Sequence, residues 1–436
     1  MLEELIRSHR AKYGVIGLGY VGLPLAVELA KAGFPTTGFE VDRSKVDAIG
    51  RRESYIADVP NAELKPLVDS GKLTATLDFD QLGAMDVISI CVPTPLSKSR
   101  DPDMSYVVRA TEEIAKRLRK DQLIILESTT YPGTTDELVK DAFEKSGLRC
   151  GKDFFLAFSP ERVDPANVRF GVRNTPKVVG GVDARSGELA TLFYAQGVDT
   201  IVPVSSARAA EMAKLLENTF RSVNIGLVNE VALMCDRLKL DVWEVIDAAA
   251  TKPFGFMKFV PGPGVGGHCI PLDPFYLSWK LRSLNYKARF IELAGEVNTE
   301  MPHYVVRKIT NALNDESKSV RGSRILLLGI AYKNDVNDMR ESPALDIQRL
   351  LEELGANVAY SDPHVPSYHA HEGGRVYTSV PMTSEELRRA DCIVVTCRHK
   401  AVDFGFVAKH ARLVVDTRNA YPFNAPVTGD ARIIRL

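Results

Sequence analysis

From Lys12 to about Val204, short apolar, β-rich runs alternate with stretches whose apolar residues recur at helical spacing. The runs are Lys12–Leu18, Pro35–Val41, Asp86–Val92, Gln122–Ser128, Phe154–Phe158 and Thr200–Val204. Strands alternating with helices predict a mainly parallel sheet covered on both faces. The pattern then changes. From Ser205 to about Leu238 there is no strand signal, only apolar positions at helical spacing (Met212, Leu215, Leu216, Val223, Leu227, Val231) behind Ser205 and Ser206 as candidate N-caps. After the Pro/Gly-rich stretch Pro261–Gly267 and more helical sequence, a second alternating block begins at Arg324. Its strands are Arg324–Gly329, Asn357–Ser361, Cys392–Thr396 and Leu413–Asp416. The expected fold class is therefore α/β: two doubly wound parallel-sheet domains joined by a helical middle that contains one long helix.

With 436 residues, 45% hydrophobic and 25% charged, the chain is too long for one ordinary core, and two or three domains are expected. A net charge of -1 supplies no global field toward nucleic acid or an anionic membrane, so neither is an expected partner. The segment Met1–Arg10 lacks the apolar core of a signal peptide, and no later run approaches the roughly 18 apolar residues of a membrane span. Cys91, Cys150, Cys235, Cys269, Cys392 and Cys397 are scattered without a CxxC pair. That argues against a disulfide framework and a zinc ribbon, and for a reducing, cytoplasmic setting with no metal.

Gly17-Leu18-Gly19-Tyr20-Val21-Gly22 follows an apolar strand and opens a helix containing Leu25, Val27 and Leu29. That context suits a phosphate-binding turn: glycines for the bend, for close pyrophosphate approach and for helix packing, with a helix N-terminus supplying N–H donors. Glu40 ends the next strand, where a carboxylate can accept bonds from the adenosine ribose and disfavour a 2′-phosphate. Arg43 could instead pair with a 2′-phosphate, although a solvated or adenine-stacking arginine is the plainer reading. NAD is the expected cofactor. Two more strand ends, Val92-Pro93-Thr94-Pro95 and Glu127-Ser128-Thr129, belong on the same sheet edge, which makes Pro93, Thr94 and Thr129 candidate cofactor contacts; simple turn roles fit them equally well.

Cys269 lies in Pro261–Pro274, where prolines stiffen the chain and glycines let the backbone pass close to a ligand. Asp273-Pro274 then reads as the N-cap and first residue of a helix. A thiol near a helix start can have its thiolate favoured, whereas Cys91, Cys235, Cys392 and Cys397 sit in apolar surroundings and Cys150 reads as a loop thiol. His268 invites a Cys/His dyad, but adjacent residues of an extended loop point apart. Lys214 and Asn218 fall at i,i+4 on the long helix, with Arg221 and Ser222 near the same side. On spacing alone that is an exposed polar stripe.

Taken together, GLGYVGLP at Gly17–Pro24, VPTPL at Val92–Leu96, EST at Glu127–Thr129, SPER at Ser159–Arg162, the Lys214/Asn218 helix, GPGVGGHCIPLDP at Gly262–Pro274, GIAYKNDVNDMRESPA at Gly329–Ala344 and DTRN at Asp416–Asn419 resemble the UDP-glucose/GDP-mannose dehydrogenase family. The match runs in order from about residue 12 to 425. The GGHCIP-x-DP form and Lys252–Phe256 look more like the branch acting on UDP-N-acetylhexosamines. The resemblance implies an NAD-binding Rossmann domain over 1–204, a central helical dimerisation region over 205–300 and a Rossmann-like UDP-sugar domain over 301–436. It makes Cys269 the nucleophile and gives Lys214 and Asp273 the water and the charged oxygen. Asn218 helps to form the oxyanion site, Glu161 acts in acid/base chemistry or thioester hydrolysis, and Thr129 contacts the cofactor or catalytic water. Lys333 and Arg418 match nucleotide-sugar positions, with Arg340 a partner in that network; Arg162, Lys258, Gly264, Gly266 and Gly267 complete the implied substrate set. The chain departs from the family pattern at Glu40, where Asp is common, and at Ala166 and Lys258.

The expected activity is a four-electron oxidation of a sugar C6 hydroxyl to the uronate, UDP-N-acetylglucosamine being favoured over UDP-N-acetylmannosamine and UDP-glucose, by a homodimer or higher homo-oligomer. Two hydride removals at one carbon require the intermediate aldehyde to be retained, and a covalent thiol adduct does that. A one-step hydroxyacid-type dehydrogenase would need no cysteine, and a non-catalytic NAD-binding regulator would not need Cys269, Lys214 and Asp273 together. The Gly329-Ile330-Ala331 turn departs from GxGxxG, which argues against a second dinucleotide site.

Overall fold

A computed structural model describes residues 2–56, 58–97, 101–163, 167, 169–370, 374–424, 426–427 and 429–436. The chain divides into two compact units, Met1–Glu217 with Phe275–Tyr286, and Asn218–Pro274 with Lys287–Leu436. Ala166, one of the departures from the family pattern, lies outside the described residues.

The first unit holds an eight-stranded sheet: β1 (Tyr13–Ile16), β2 (Thr36–Phe39), β3 (Leu73–Thr76), β4 (Val87–Ile90), β5 (Leu123–Leu126), β6 (Phe155–Phe158), β7 (Lys177–Gly181) and β8 (Ile201–Val204). Their order is β3-β2-β1-β4-β5-β6-β7-β8, parallel throughout except where β6 meets β7. Every residue of β1, β4, β5 and β6 is buried, because helices cover both faces. One core, around Leu25, Val27, Leu29, Phe34 and Phe193, fills one face, and a second, around Ile88, Ile90, Val107, Phe143 and Phe154, fills the other. Strand order reverses between β1 and β4, so the carboxyl ends of those two strands flank a crevice suited to ligands.

The second unit holds β9 (Arg324–Leu328), β10 (Asn357–Ser361), β13 (Cys392–Val395), β14 (Leu413–Asp416) and β15 (Arg432–Arg435), in the all-parallel order β10-β9-β13-β14-β15. A small antiparallel pair, β11 (Ser367–His369) and β12 (Val376–Thr378), stands apart. The switch point of the five-stranded sheet falls between β9 and β13. The long helix spans Ala207–Leu238, and Ser206 caps it by accepting the Ala209 N–H at 3.2 Å. Its second-unit portion packs beside helix Arg289–Asp315, close enough at Gly226 that a Cβ there would lie 3.2 Å from Ala294.

Strands β3, β7, β11, β12 and β15 are absent from the sequence pattern. β3 and β15 are partly exposed edge strands with no apolar run longer than two residues, and β7 opens on a buried lysine.

Candidate functional site

In the first unit the glycine turn follows β1. Gly17 has φ of 89°, and a Cβ there would lie 2.6 Å from the Cys91 carbonyl oxygen; a Cβ on Gly22 would meet the Gly17 oxygen at 1.8 Å. These two glycines are required by the fold. A Cβ on Gly19, by contrast, would meet nothing within 4 Å, which leaves the open approach a pyrophosphate needs. Helix Gly22–Lys31 begins there, with Val21 at its N-cap and Tyr20 46% exposed beside it. These residues fit a dinucleotide.

Glu40 ends β2 and is buried, but it is already at work inside the protein. Its Oε2 accepts the Leu18 N–H and the Lys45 ammonium, both at 3.0 Å, and its Oε1 accepts the Val41 N–H at 2.9 Å. Burial opposes the charge, yet the bonds from Leu18, Lys45 and Val41 outweigh it and hold the carboxyl below the usual glutamate range. Glu40 thus ties the glycine turn to the strand end and to Lys45. Arg43 is exposed at the first position of helix Arg43–Gly50. Thr94 is buried, Pro93 exposed and Thr129 half-buried; Ser128 joins the two loops by donating its hydroxyl to the Val92 carbonyl at 2.8 Å.

Lys214 Nζ donates to the backbone carbonyl of Glu161 at 2.7 Å, while the Glu161 carboxylate accepts the N–H groups of Arg162 and Val163 at 2.6 and 2.7 Å. Arg162 pairs with Glu217 at 2.7 Å and donates to the Pro176 carbonyl at 2.6 Å. Sequence reasoning offered Arg162 as a substrate contact; here it clamps the SPER loop to the helix that carries Lys214.

The thiol loop belongs to the second unit. Cys269 is exposed, whereas Cys91, Cys235, Cys392 and Cys397 are buried and Cys150 is partly so. The Cys269 carbonyl accepts the N–H groups of Leu272 and Asp273 at 3.2 and 2.8 Å, a tight turn that leads into helix Asp273–Arg282. Asp273 is therefore the first helical residue and not the cap outside it, a shift of one residue caused by that turn. Its buried carboxylate accepts the Asn218 amide at 2.5 Å. Farther along the long helix, buried Asn229 accepts the Gly262 N–H at 2.9 Å and donates to Asn298 at 2.9 Å. The loop is thus held at both ends by asparagines of one helix.

The loop glycines have a packing role that the sequence did not show. A Cβ on Gly266 would lie 2.7 Å from the Glu341 carbonyl oxygen and from Tyr332 Cβ, one on Gly267 (φ 89°) 2.8 Å from the Tyr332 ring, and one on Gly264 (φ 139°) 2.9 Å from Pro343. Gly267 N–H also bonds the Arg340 carbonyl at 2.8 Å. The glycines let the thiol loop lie against the Tyr332–Pro343 segment of the protein itself. Gly262 does the same for Arg418: a Cβ there would sit 2.7 Å from a guanidinium nitrogen.

Arg418 donates Nε to the Thr396 carbonyl at 2.9 Å, and among the described residues no carboxylate forms an ion pair with it. Burial pushes its guanidinium down from the usual range. Arg340 is exposed and chelated by Asp338 at 2.6 to 3.0 Å. Lys258 is exposed and pairs with Asp247. Lys333 and His268 are half-buried in their loops.

Sequence reasoning missed several buried groups. Asp362, just beyond the end of β10, accepts the N–H groups of Ile330 and Ala331 at 2.7 and 3.2 Å and pairs with His399 at 3.1 Å. It follows the second strand of its sheet unit as Glu40 follows β2, and like Glu40 it accepts backbone N–H groups of the turn after the first strand. Glu211, one turn before Lys214, accepts Gly133 N–H at 2.7 Å, Thr135 N–H at 3.0 Å and Thr135 hydroxyl at 2.6 Å. Glu127 and Lys177 form a buried ion pair at 2.8 Å. A carboxylate inside an apolar strand run was the available signal for Glu127. Among the described residues, Asp335, His364 and His399 approach one another as a metal set would, but both ring nitrogens of His399 are already bonded, to Asp362 and to the Asp335 N–H.

The glycine turn, the exposed cysteine and the second sheet with its half-buried arginine are those of an NAD-dependent nucleotide-sugar dehydrogenase. The chain belongs to the UDP-glucose/GDP-mannose dehydrogenase family: the family's NAD binding domain matches residues 11–198, its central domain 208–300 and its UDP binding domain 326–422. It is 38% identical over 373 residues to the UDP-N-acetyl-D-glucosamine 6-dehydrogenase of Pseudomonas aeruginosa, covering 85% of this chain and 87% of that one. It is 34% identical over 414 residues to the UDP-N-acetyl-D-mannosamine dehydrogenase of Pyrococcus horikoshii, covering 94% and 95%. The solved structure of UDP-D-ManNAc dehydrogenase from Pyrococcus horikoshii superposes with a TM-score of 0.88 at 33% identity, over 97% of this chain and 99% of that one. NAD is the cofactor, and the α/β fold with two Rossmann-like sheets, the first mainly and the second wholly parallel, and a helical centre stands as expected.

Proposed function

We propose that the chain oxidises the C6 hydroxyl of a UDP-N-acetylhexosamine, UDP-N-acetylglucosamine first, to the uronate through a covalent adduct on Cys269. The observation that carries this reading is the placement of Cys269: an exposed thiol in a turn braced by the buried Asn218–Asp273 bond. NAD held at the glycine turn supplies the hydride acceptor, used twice per sugar. Lys214, or a water held by Asp273, takes the hydroxyl proton. The Cys269 thiolate adds to the aldehyde carbon to give a thiohemiacetal, and its oxyanion is stabilised by Lys214 and Asn218. After the second oxidation a thioester remains on Sγ. Water oriented by Asp273 and Glu161 adds to its carbonyl carbon, the C–S bond breaks, and the carboxylate leaves. Arg418 and Lys333 serve the UDP moiety, Arg418 because a half-buried guanidinium is matched by a pyrophosphate.

The choice of sugar rests on the 38% likeness to the glucosamine enzyme. N-acetylmannosamine differs only at C2 and is the second reading, supported by the Pyrococcus likeness. Purified protein assayed side by side with UDP-N-acetylglucosamine, UDP-N-acetylmannosamine, UDP-N-acetylgalactosamine and UDP-glucose decides the matter. The expected result is highest kcat/KM with UDP-N-acetylglucosamine and two NADH formed per sugar. A ratio near one with stable aldehyde refutes the double oxidation, and a higher kcat/KM on another sugar refutes the substrate.

We also propose that a second copy of this chain covers the exposed apolar side chains Phe220, Leu227 and Met234 of the long helix with Phe290 and Leu293 of its neighbour.

A further inference from the structure

Lys177 opens β7 and is 5% exposed, with its ammonium 2.8 Å from Glu127 Oε2 and 4.8 Å from the centre of the Tyr194 ring. Glu127 is bonded on its other oxygen by the Tyr194 hydroxyl, which contacts Ser89 at 3.2 Å, and Ser89 accepts from Tyr13 at 2.9 Å. That chain satisfies Glu127 from the core side. On the other side of Lys177 lies a cavity of about 10 Å³ bounded by Pro160, Glu161, Arg162, Val172, Thr175, Pro176 and Lys177. The Thr175 hydroxyl is buried and finds no hydrogen-bond partner.

A void of this size holds one water when polar groups surround it. Thr175, Lys177 and Glu161 supply a hydroxyl, an ammonium and a carboxylate, the partners a trapped water needs. Burial works against the Lys177 charge, and the carboxylates of Glu127 and Glu161 together overcome it, so the lysine serves two acids and touches only one directly.

We infer that this cavity is a single-water site through which Lys177 positions Glu161 for hydrolysis of the Cys269 thioester. The inference rests on the reading of the reaction given above. In that step water adds to the thioester carbonyl carbon and gives its proton to the Glu161 carboxylate. The C–S bond then breaks, its electron pair remains on Sγ, and the uronic acid is released. Glu161 must be an ionised, fixed base at that moment. Its orienting N–H donors come from its own loop, at Arg162 and Val163, and the Lys177 ammonium is the buried cation beside it. Lys177 touches neither substrate nor cofactor in this account and is a positioning residue.

The test uses full-length protein, UDP-N-acetylglucosamine or the best sugar of the panel, and rapid mixing. Lys177→Met/Glu127→Gln removes the pair without leaving a buried lone charge. The expected result is a burst of two NADH per active site at near the wild-type rate, then a steady rate at least tenfold lower. Intact-mass analysis should show the acyl adduct on the chain, and Lys177→Arg should restore most of the steady rate. Thr175→Val, which keeps the shape and removes the hydroxyl, should show the same pattern more weakly, and it decides the question if the double variant does not fold. A steady rate within twofold of wild type, or burst and steady phases falling together without adduct, overturns the role of Lys177. Failure of the underlying reaction reads differently: the wild type itself would then give one NADH per sugar and no adduct.

Discussion

Among six cysteines, only Cys269 combines exposure with a turn whose carbonyl is already committed, so the side chain and not the backbone is what the loop presents. Cys269→Ser should therefore lower uronate formation on the order of 10³-fold or more, as loss of a nucleophile does. Binding of NAD and of UDP, measured by calorimetry, should stay within a few-fold; uronate produced at the full rate would remove the covalent step. Asp362 makes a second prediction at this scale. Burial opposes its charge, but His399 and the N–H groups of Ile330 and His364 prevail and hold its carboxyl down at about 2. A depressed acid contributes stability that is present above its unfolded value, near 4, and is lost as pH falls through the folded value. The shift corresponds to about 2 kcal/mol. Asp362→Asn should lower the urea midpoint of the second unit at pH 6, and the gap to wild type should begin to narrow below pH 4. A gap independent of pH down to 2.5 would contradict the assignment.

At the scale of elements, Glu211 shows how one carboxylate organises a helix it does not belong to. It sits on the long helix and accepts the N–H groups of Gly133 and Thr135 at the start of the helical segment Thr134–Glu144, acting as a cap supplied from outside. Burial pushes its carboxyl up to about 7 despite those donors. Glu211→Leu leaves the donors unsatisfied, a cost of about 1–3 kcal/mol. Amide exchange at Gly133 and Thr135 should quicken roughly 10- to 100-fold, while strands such as β1 keep wild-type protection; unchanged exchange would show that the cap does nothing. Such a contact was invisible beforehand, because Glu211 and Gly133 are 78 residues apart and nothing local marks the pairing. What was legible was the periodic part: ten strands carried apolar runs, most clearly β1, β4, β5, β6, β13 and β14, whose residues are all buried between covered faces. The edge strands β3 and β15 lacked that signal, and β7 hid it behind Lys177. The site divided in the same way. Gly17, Gly22 and Cys269 carry their reason in local geometry. Gly264, Gly266 and Gly267 also lie against Tyr332–Pro343 of the protein, a contact that no spacing rule connects to them.

For the whole molecule the open matter is what covers its apolar helices. No helix among the described residues is long and apolar enough to cross a membrane, so the exposed side chains on the long helix are not those of a span. Phe220, Leu227 and Met234 recur every seven residues and are 45%, 55% and 48% exposed; Phe290 and Leu293 on the adjoining helix are 75% and 53% exposed. The close Gly226–Ala294 approach brings the two helices together one residue from Leu227 and Leu293, and we propose that their exposed apolar side chains form one face. A two-fold axis lets such a face meet its own copy, since the same patch then serves as both surfaces. Light scattering coupled to size exclusion should give twice the chain mass for the wild-type protein at micromolar concentration. Leu227→Glu/Phe290→Glu places a charge on each helix of that face and should halve the measured mass with the far-ultraviolet dichroism unchanged. A wild-type protein that already runs as one chain, or a variant that keeps the doubled mass, would mean that this face has another purpose. Because Asn218 and Asn229 brace the thiol loop from the same helix, loss of assembly should also loosen Cys269. That is measurable as faster alkylation by iodoacetamide in the monomeric variant than in wild type, and equal rates would separate the interface from the site.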